Sequence, residues 1–411
     1  DDVTGGTAAG GAYFTLANGT ALYQMPTNRS VTLYAVWRAN SDTEYYVYRY
    51  KVTGDGVLVP IDVNGNEVAE GQNKITHVGV TDEHADAEGN NDVPNAHVTN
   101  DNTNVDGYTY LSHGNSVTDA DNVPHTTSSS GSISGDPANP LKMYLYYEAN
   151  ENTLRLVLGG TTDAPASWKS GSEGKAVTTH TTQSTTVLPT NADVLRPGYT
   201  LVGWATDAAG STAEGLASQE TANRLASATG NDFAHGGANW TLVATWDPVS
   251  KQYVYVGVND VEYLMPTLSE RVLYAVWRAN DDTPYTVNRY YVDGNGVVHP
   301  IETLTHTGVT GEVAIADVAT LDPTKPWYTQ DNDSITGYEY LTNGMSRTVS
   351  HTDDSVTTAV DTTVTTTSRL KIKLAADGSI LTVLDLYYVP VTKTITFDKG
   401  NGTWAAGGDK S

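Results

Sequence analysis

Ten histidines and 48 acidic side chains are the residues of this chain with the most chemistry to offer. No histidine stands in an H-E-x-x-H spacing, which puts two imidazoles on one helix face to hold zinc. His77 and His306 occupy matching places in ITHVGV and LTHTGV, with no serine or cysteine beside them in a nucleophile–base arrangement. They read as strand residues with a structural or surface place. Neither a G-x-S-x-G elbow nor a Walker loop occurs, and the glycines cluster in turns such as TGDG and DGNG, where φ > 0 is needed. The chain has no cysteine, which excludes disulfides, thiolate metal sites and thiol nucleophiles. Paired carboxylates for glycoside hydrolysis are a matter of spatial separation that sequence leaves open. The acidic residues, however, lie mostly in Asn-, Gly- and Thr-rich loops, and no catalytic role is expected.

Two sets of residues remain as candidate sites. The loops DEHADAEGNND (82–92), NDNTNVDG (100–107) and QDNDSITG (330–337) are rich in oxygen donors, and Ca²⁺ takes six to eight of these. Their calcium candidates are Asp82, Asp86, Asp101, Asp331 and Asp333, although none of the loops has the D-x-[DN]-x-[DN]-G pattern with its distal Glu. Plain polar loops are the favoured reading, and no other cofactor is expected. The second set is a pair of tyrosine stripes, Tyr45, Tyr46 and Tyr48 with Tyr144, Tyr146 and Tyr147, which would make a stacking platform for sugars if exposed. Strand alternation offers another account, with one set in a core and the other on a solvated face.

The elements that carry these residues are strands. Tyr (25) far outnumbers Phe (3), and Thr and Val are abundant, a composition that favours pleated sheet, while Gly, Asn and Asp favour turns. Long apolar stretches of 3.6 period are nearly absent; AEGLASQETANRLASA (213–228) is the best helix candidate. No apolar run approaches the ~20 residues of a membrane span. With 48 acidic against 23 basic residues the net charge is −25, which repels phosphate backbones and anionic membranes, so no nucleic-acid partner is expected.

The chain repeats itself. LYAVWRAN occurs at 33–40 and at 273–280, and the match runs without a gap from 13–61 to 253–301. Further on, ITHVGVT (75–81) answers LTHTGVT (304–310), VDGYTYLSHGNS (105–116) answers ITGYEYLTNGMS (335–346), and MYLYYEAN (143–150) answers VLDLYYVP (383–390). TLRLVLGG (from 153) answers TITFDKGN (from 394). Each copy holds two kinds of module. One opens with a hairpin, YYVYRYKV-TGDG-VLVPI or YTVNRYYV-DGNG-VVHPI, and closes on a Tyr-rich strand. The other contains RPGYTLVGWAT (196–206) and ends in LYAVWRAN. Trp37, Trp204, Trp277, Tyr108 and Tyr338 are the expected core anchors. The Thr-rich stretches 177–187 and 357–368 read as exposed strands.

GYTLVGWAT followed downstream by an LYAVW strand resembles the internalin B-type B-repeat, also called the Listeria–Bacteroides repeat, with a long insertion at 207–247. The Y-x-Y/N-R-Y opening, the GYTY/GYEY segment and the closing LYY strand resemble mucin-binding-protein (MucBP-like) repeats. These resemblances imply a mainly β chain with minor helix, built of small β-grasp-like domains in an elongated array. The implied division is the closing part of a B-repeat-like module at 1–40, MucBP-like modules at 41–149 and 281–390, a B-repeat-like module at 150–280, and the start of another at 391–411. On that expectation the chain starts and stops inside its repeating unit. The resemblances also imply a non-enzymatic repeat region of an adhesin or filament on a Gram-positive cell surface, attached to the wall through other segments. Its partners would be neighbouring repeats or copies of the same chain, with a host glycan or mucin bound by tyrosine faces as the alternative. Lys–Asn or Thr–Gln cross-links known in such surface domains are raised by the resemblance alone. Lys51 gives way to Tyr291 in the second copy, which argues against a repeated lysine bond there.

Overall fold

The computed structural model describes residues 37–90, 92–205, 244–247, 252–255, 262–265, 267, 269–351 and 360–393. The chain is mainly β, divided among many small sheets; the helical element among the described residues is a 3₁₀ turn, Glu173–Ala176. The helix expected at 213–228 lies outside the described residues. The residues fall into two compact units, one holding those up to Asn152 with Thr179–Thr185 and Met265–Ser269, the other holding the rest.

In the first unit, Thr43–Val52 runs through the centre of a five-stranded sheet. It lies parallel to Lys142–Ala149, with Tyr46 opposite Lys142 and Val52 opposite Glu148. Leu58–Pro60 and Lys74–Gly79 share its other edge, both antiparallel. Tyr108–Tyr110 completes the sheet beyond Lys142–Ala149. Alternation along the two central strands sends Tyr45, Val47, Met143, Leu145 and Tyr147 into one core, closed by Ile61, Ala85, Ala87, Val105 and Ile133. The opposite face is covered as well: Tyr50, Val52 and Tyr146 pack with Val117. Both faces of this small sheet are therefore shielded, by short strands and loops rather than by a helix.

The second unit contains a sheet of the same order. Thr283–Val292 is parallel to Val383–Pro390, with Val298–Gly308 on one side and Tyr338–Tyr340 on the other. Thr286 faces Val383 and Arg289 faces Leu386, matching Tyr46–Lys142 and Arg49–Leu145 in the first sheet. Val298–Gly308 is a single strand with a register shift at Arg289/Tyr290; in the first copy, residues 62–72 are inserted at that place and split the strand in two. An irregularity of pairing thus marks where the sequence tolerated extra chain. The Thr-rich stretch near 360 forms a hairpin with Ser346–His351, where Ser346–Thr365 and Thr348–Thr363 pair their hydroxyls at 2.7 and 2.8 Å.

Between these sheets in sequence, Glu151–Val157 pairs in parallel with Glu270–Ala279, which pairs antiparallel with Tyr199–Ala205 across a bulge at Leu201/Gly203. Leu154, Leu156, Leu273, Ala275, Trp204 and Trp277 are buried there. The Trp204 indole donates to the Pro189 carbonyl at 2.9 Å and the Trp277 indole to the Leu158 carbonyl at 2.7 Å, so neither ring buries an unpaired N–H.

Trp37 differs from the expectation. It stands in the same octapeptide as Trp277 yet is 77% exposed. Burial of Trp277 comes from the strands on either side of Glu270–Ala279, and no strand is described beside Trp37. Tyr108 is buried, and Tyr338 is half-buried, edge-on to Tyr291 at 5.2 Å.

Candidate functional site

The repeated arginine of the Y-x-Y/N-R-Y strand organises each hairpin module. Arg49 is fully buried beneath the sheet. Its Nη1 donates to the Asp62 carbonyl at 2.7 Å, and its Nη2 donates to the Thr103 carbonyl at 3.0 Å and the Tyr147 hydroxyl at 2.8 Å. Arg289 repeats the arrangement with the Asp333 carbonyl at 3.1 Å and the Tyr388 hydroxyl at 3.3 Å, and pairs with the Glu302 carboxylate. Each guanidinium ties a long loop to the closing LYY strand, the fixed fork matching several acceptors at once. Sequence reading passed over this residue; the signal was an identical arginine at the same place in both copies.

Two histidine–aspartate pairs also recur. His77 Nε2 lies 3.0 Å from Asp101 and stacks on Tyr45, while His306 Nε2 lies 3.1 Å from Asp331 beside Tyr285. Of the calcium candidates, Asp101 and Asp331 thus place their carboxylates on these histidines. Asp101 also accepts the Thr99 hydroxyl at 2.6 Å, Asp331 bonds Thr329, and Asp333 offers its backbone carbonyl to Arg289. Asp86 is buried and accepts the Glu88 amide, and Asp82 occupies a left-handed turn at φ 68°. Among the described residues, no group of three or more His, Asp or Glu side chains converges on a point where a metal ion could sit.

The tyrosine stripes divide between the two faces of the sheet. Tyr45 and Tyr147 are fully buried and Tyr146 nearly so, so these three cannot form the proposed platform. They belong to strands covered on both faces. Tyr48 and Tyr144 remain part-exposed and stacked at 5.3 Å, and Lys74 Nζ sits 4.3 Å above the Tyr46 ring. The second copy replaces Tyr46, Tyr48 and Tyr144 by Thr286, Asn288 and Asp385, and Asn288 bonds Asp385 at 3.0 Å. The Tyr48–Tyr144 stack is therefore a property of one module, while in the second the part-exposed stack is Tyr290 on Tyr387 at 5.1 Å.

Burial holds several of the tyrosines neutral to high pH. Desolvation pushes Tyr50 and Tyr285 up to about 12, and Tyr45, Tyr108, Tyr110 and Tyr340 upward too. A raised folded-state value contributes stability that is complete below the ordinary phenol value and is lost as pH rises towards the folded one. Between pH about 10 and about 12 the sheets should therefore weaken, with phenolate absorbance and loss of circular dichroism rising together. A fully ionised tyrosine complement in a protein that keeps its sheet signal would contradict this.

The module boundaries are where the repeated motifs converge. Thr81 donates its amide to the Asn40 carbonyl at 2.9 Å, and Thr310 donates to Asn280 at the same distance. Paired hydroxyls accompany both, Thr43–Thr81 at 2.7 Å and Thr283–Thr310 at 2.6 Å. Asn280 reaches further, donating its amide to the Gly198 carbonyl at 2.9 Å and accepting the Thr200 hydroxyl at 2.7 Å. This explains the spacing of RAN-x-x-T and its partner VT. In the first unit, the turn after Thr43–Val52 is held by a second set of bonds. Gly54 donates to the Thr182 carbonyl at 2.8 Å, and Asp55 accepts the Thr185 amide and hydroxyl at 2.9 and 2.7 Å. Beside it Lys51 pairs with Glu67 at 2.8 Å, and Tyr108 bonds Gln183.

No protein-family model matches the chain, and no curated protein matches it. Among solved structures, the chain has a weak similarity to the pilus adhesin SpaC from Lactobacillus rhamnosus GG in its open conformation, with a TM-score of 0.16 and 9% identity. That alignment covers 86% of this chain and 44% of the other, so the chain spans less than half of SpaC's length. Among the described residues, no helix is long and apolar enough to cross a membrane.

Proposed function

We propose that this chain is a non-enzymatic repeat region of a bacterial cell-surface adhesin or filament, serving as stalk and adhesive surface. The observation that supports it most is the repeated boundary clamp: Asn40–Thr81 with Thr43, and Asn280–Thr310 with Thr283, place the same bonds at the same step of each repeat. Within the second unit, three residues separate Glu270–Ala279 from Thr283–Val292. Short, hydrogen-bonded joints resist bending better than flexible linkers. Modules that repeat in this way add length with nearest-neighbour stability, and strong negative charge keeps such an array soluble. The sugar-binding alternative is less favoured, because Tyr46, Tyr48 and Tyr144 give way to Thr286, Asn288 and Asp385 in the second copy, where the part-exposed stack is Tyr290 on Tyr387 instead.

Small-angle scattering tests the stalk reading. A compact chain of this length would have a radius of gyration of about 22 Å. The array should give a value well above that, and a result near the compact figure would remove the reading.

A further inference from the structure

One side-chain cluster of the first unit brings together the groups that an acyl transfer within the chain requires. Lys51 lies in the central strand Thr43–Val52, and its side chain is 7% exposed. Its Nζ sits 5.1 Å from the centre of the Tyr108 ring and 2.8 Å from Glu67 Oε1. The same Oε1 accepts a hydrogen bond from Gln183 Nε2 at 3.3 Å. The other end of that carboxamide, Gln183 Oε1, accepts the Tyr108 hydroxyl. A buried amine, a carboxylate that bridges it to a carboxamide, and a donor on the carboxamide oxygen thus meet at one place, and all four residues belong to the first unit.

The backbone holds Gln183 at this position. Its φ is 57°, in the left-handed region that residues other than glycine rarely adopt. The turn around it is fixed from several sides: Thr182 donates to the Asn150 carbonyl at 2.8 Å and accepts the Gly54 amide at 2.8 Å, and Gln183 donates to the Met265 carbonyl at 2.9 Å. Glu67 arrives on residues 62–72, the segment that the second module lacks, and Tyr291 stands in that module where the first has Lys51. A packing need common to the repeat, such as the one the arginines meet, therefore does not account for the cluster.

We propose that Lys51 and Gln183 become joined by a transamidation within the folded chain. Glu67 takes a proton from the Lys51 ammonium, and the free amine attacks Cδ of Gln183. The Tyr108 hydroxyl donates to Gln183 Oε1 as negative charge builds there. A bond forms between Nζ and Cδ, the Cδ–Nε2 bond breaks, and Nε2 leaves as ammonia with the proton that Glu67 held. The surplus proton of the amine passes to solvent. One amide is exchanged for another, so the step needs no oxidant and no activated co-reactant, and the fixed neighbours supply the effective concentration. The product ties the central strand to the Thr179–Thr185 segment by a bond that outlasts unfolding. It is independent of the array reading.

Peptide mass spectrometry of the full chain, incubated folded at neutral pH, reads the bond. Trypsin should fail to cut after Lys51, and the peptide carrying it should be joined to the one carrying Gln183, lighter than the two together by one ammonia. Lys51→Arg keeps a cation beside Glu67 but offers no nucleophilic amine, and it should abolish the linked peptide. Glu67→Gln, at a side chain 53% exposed, should leave the circular dichroism unchanged and slow the linkage about 100-fold. Complete cleavage after Lys51 in the unaltered chain overturns the proposal. So does loss of one water within the Lys51 peptide, which marks a bond to Glu67 instead, and so does a Glu67→Gln chain that links as fast as the original. Scattering decides the array separately: a linked but compact chain keeps the bond and removes the array, and an extended but unlinked chain does the reverse.

Discussion

Arg49→Met should destabilise the first hairpin module by about 3 kcal/mol, through the loss of three hydrogen bonds from a buried charged donor, each about 1.5–3 kcal/mol before the neighbours relax. Methionine fills the space of the arginine stem, so the loss isolates the hydrogen bonds. The Asp62 carbonyl loses its bond at 2.7 Å but keeps the Gly65 amide at 3.1 Å, and the Thr103 carbonyl keeps the Tyr147 hydroxyl at 2.9 Å. Arg289→Met should cost less, about 1–2 kcal/mol, because the Glu302 side chain is 41% exposed and regains water when its partner goes. Hydrogen exchange resolves the two modules in one sample. Amides of Thr43–Val52 and Lys142–Ala149 should lose protection in the first variant, while those of Thr283–Val292 keep it. Unchanged exchange in the first module would mean that the guanidinium only decorates the loop.

Trp277→Ala and Trp37→Ala make a sharper pair, since both change the same letter of the same octapeptide. Trp277 is fully buried, donates to the Leu158 carbonyl, and lies under the Arg196 guanidinium, whose carbon is 6.0 Å from its ring and 3.9 Å from that of Tyr199. Removing it leaves a cavity and a carbonyl without its indole donor, while Arg196 keeps its stack on Tyr199, at about 3–5 kcal/mol. Trp37 is 77% exposed, and its truncation should stay within about 0.5 kcal/mol. Urea unfolding of each variant measures both. Similar losses for the two would show that Trp37 is packed as Trp277 is, against its observed exposure.

Much of the architecture was legible beforehand because sheets declare themselves locally. Alternation, Gly-bearing turns and the abundance of Tyr, Thr and Val point to strands, and the TGDG and DGNG hairpins form where the sequence puts them. The repeat carried the correspondence of register as well, since identical spacing from Tyr46 to Arg49 and from Thr286 to Arg289 presents the same faces to the closing strand.

Local pattern could not say which face of a strand would be covered. Tyr45 and Tyr48 stand in one strand, three residues apart, and a loop-borne cluster of Ala85, Ala87 and Ile133 decides that the first is sealed, while the second stays part-exposed. Nor could it show that Asp101 and Asp331 spend their carboxylates on His77 and His306, because those partners come from strands more than 20 residues away. The sequence by itself determined the class of element, the hairpins and the repeat, all of which depend on residues close together in the chain. Tertiary structure alone decided the buried arginine pins, the boundary clamps and the opposite fates of Trp37 and Trp277, because burial is set by the strand on the other side, and identical octapeptides do not have identical neighbours.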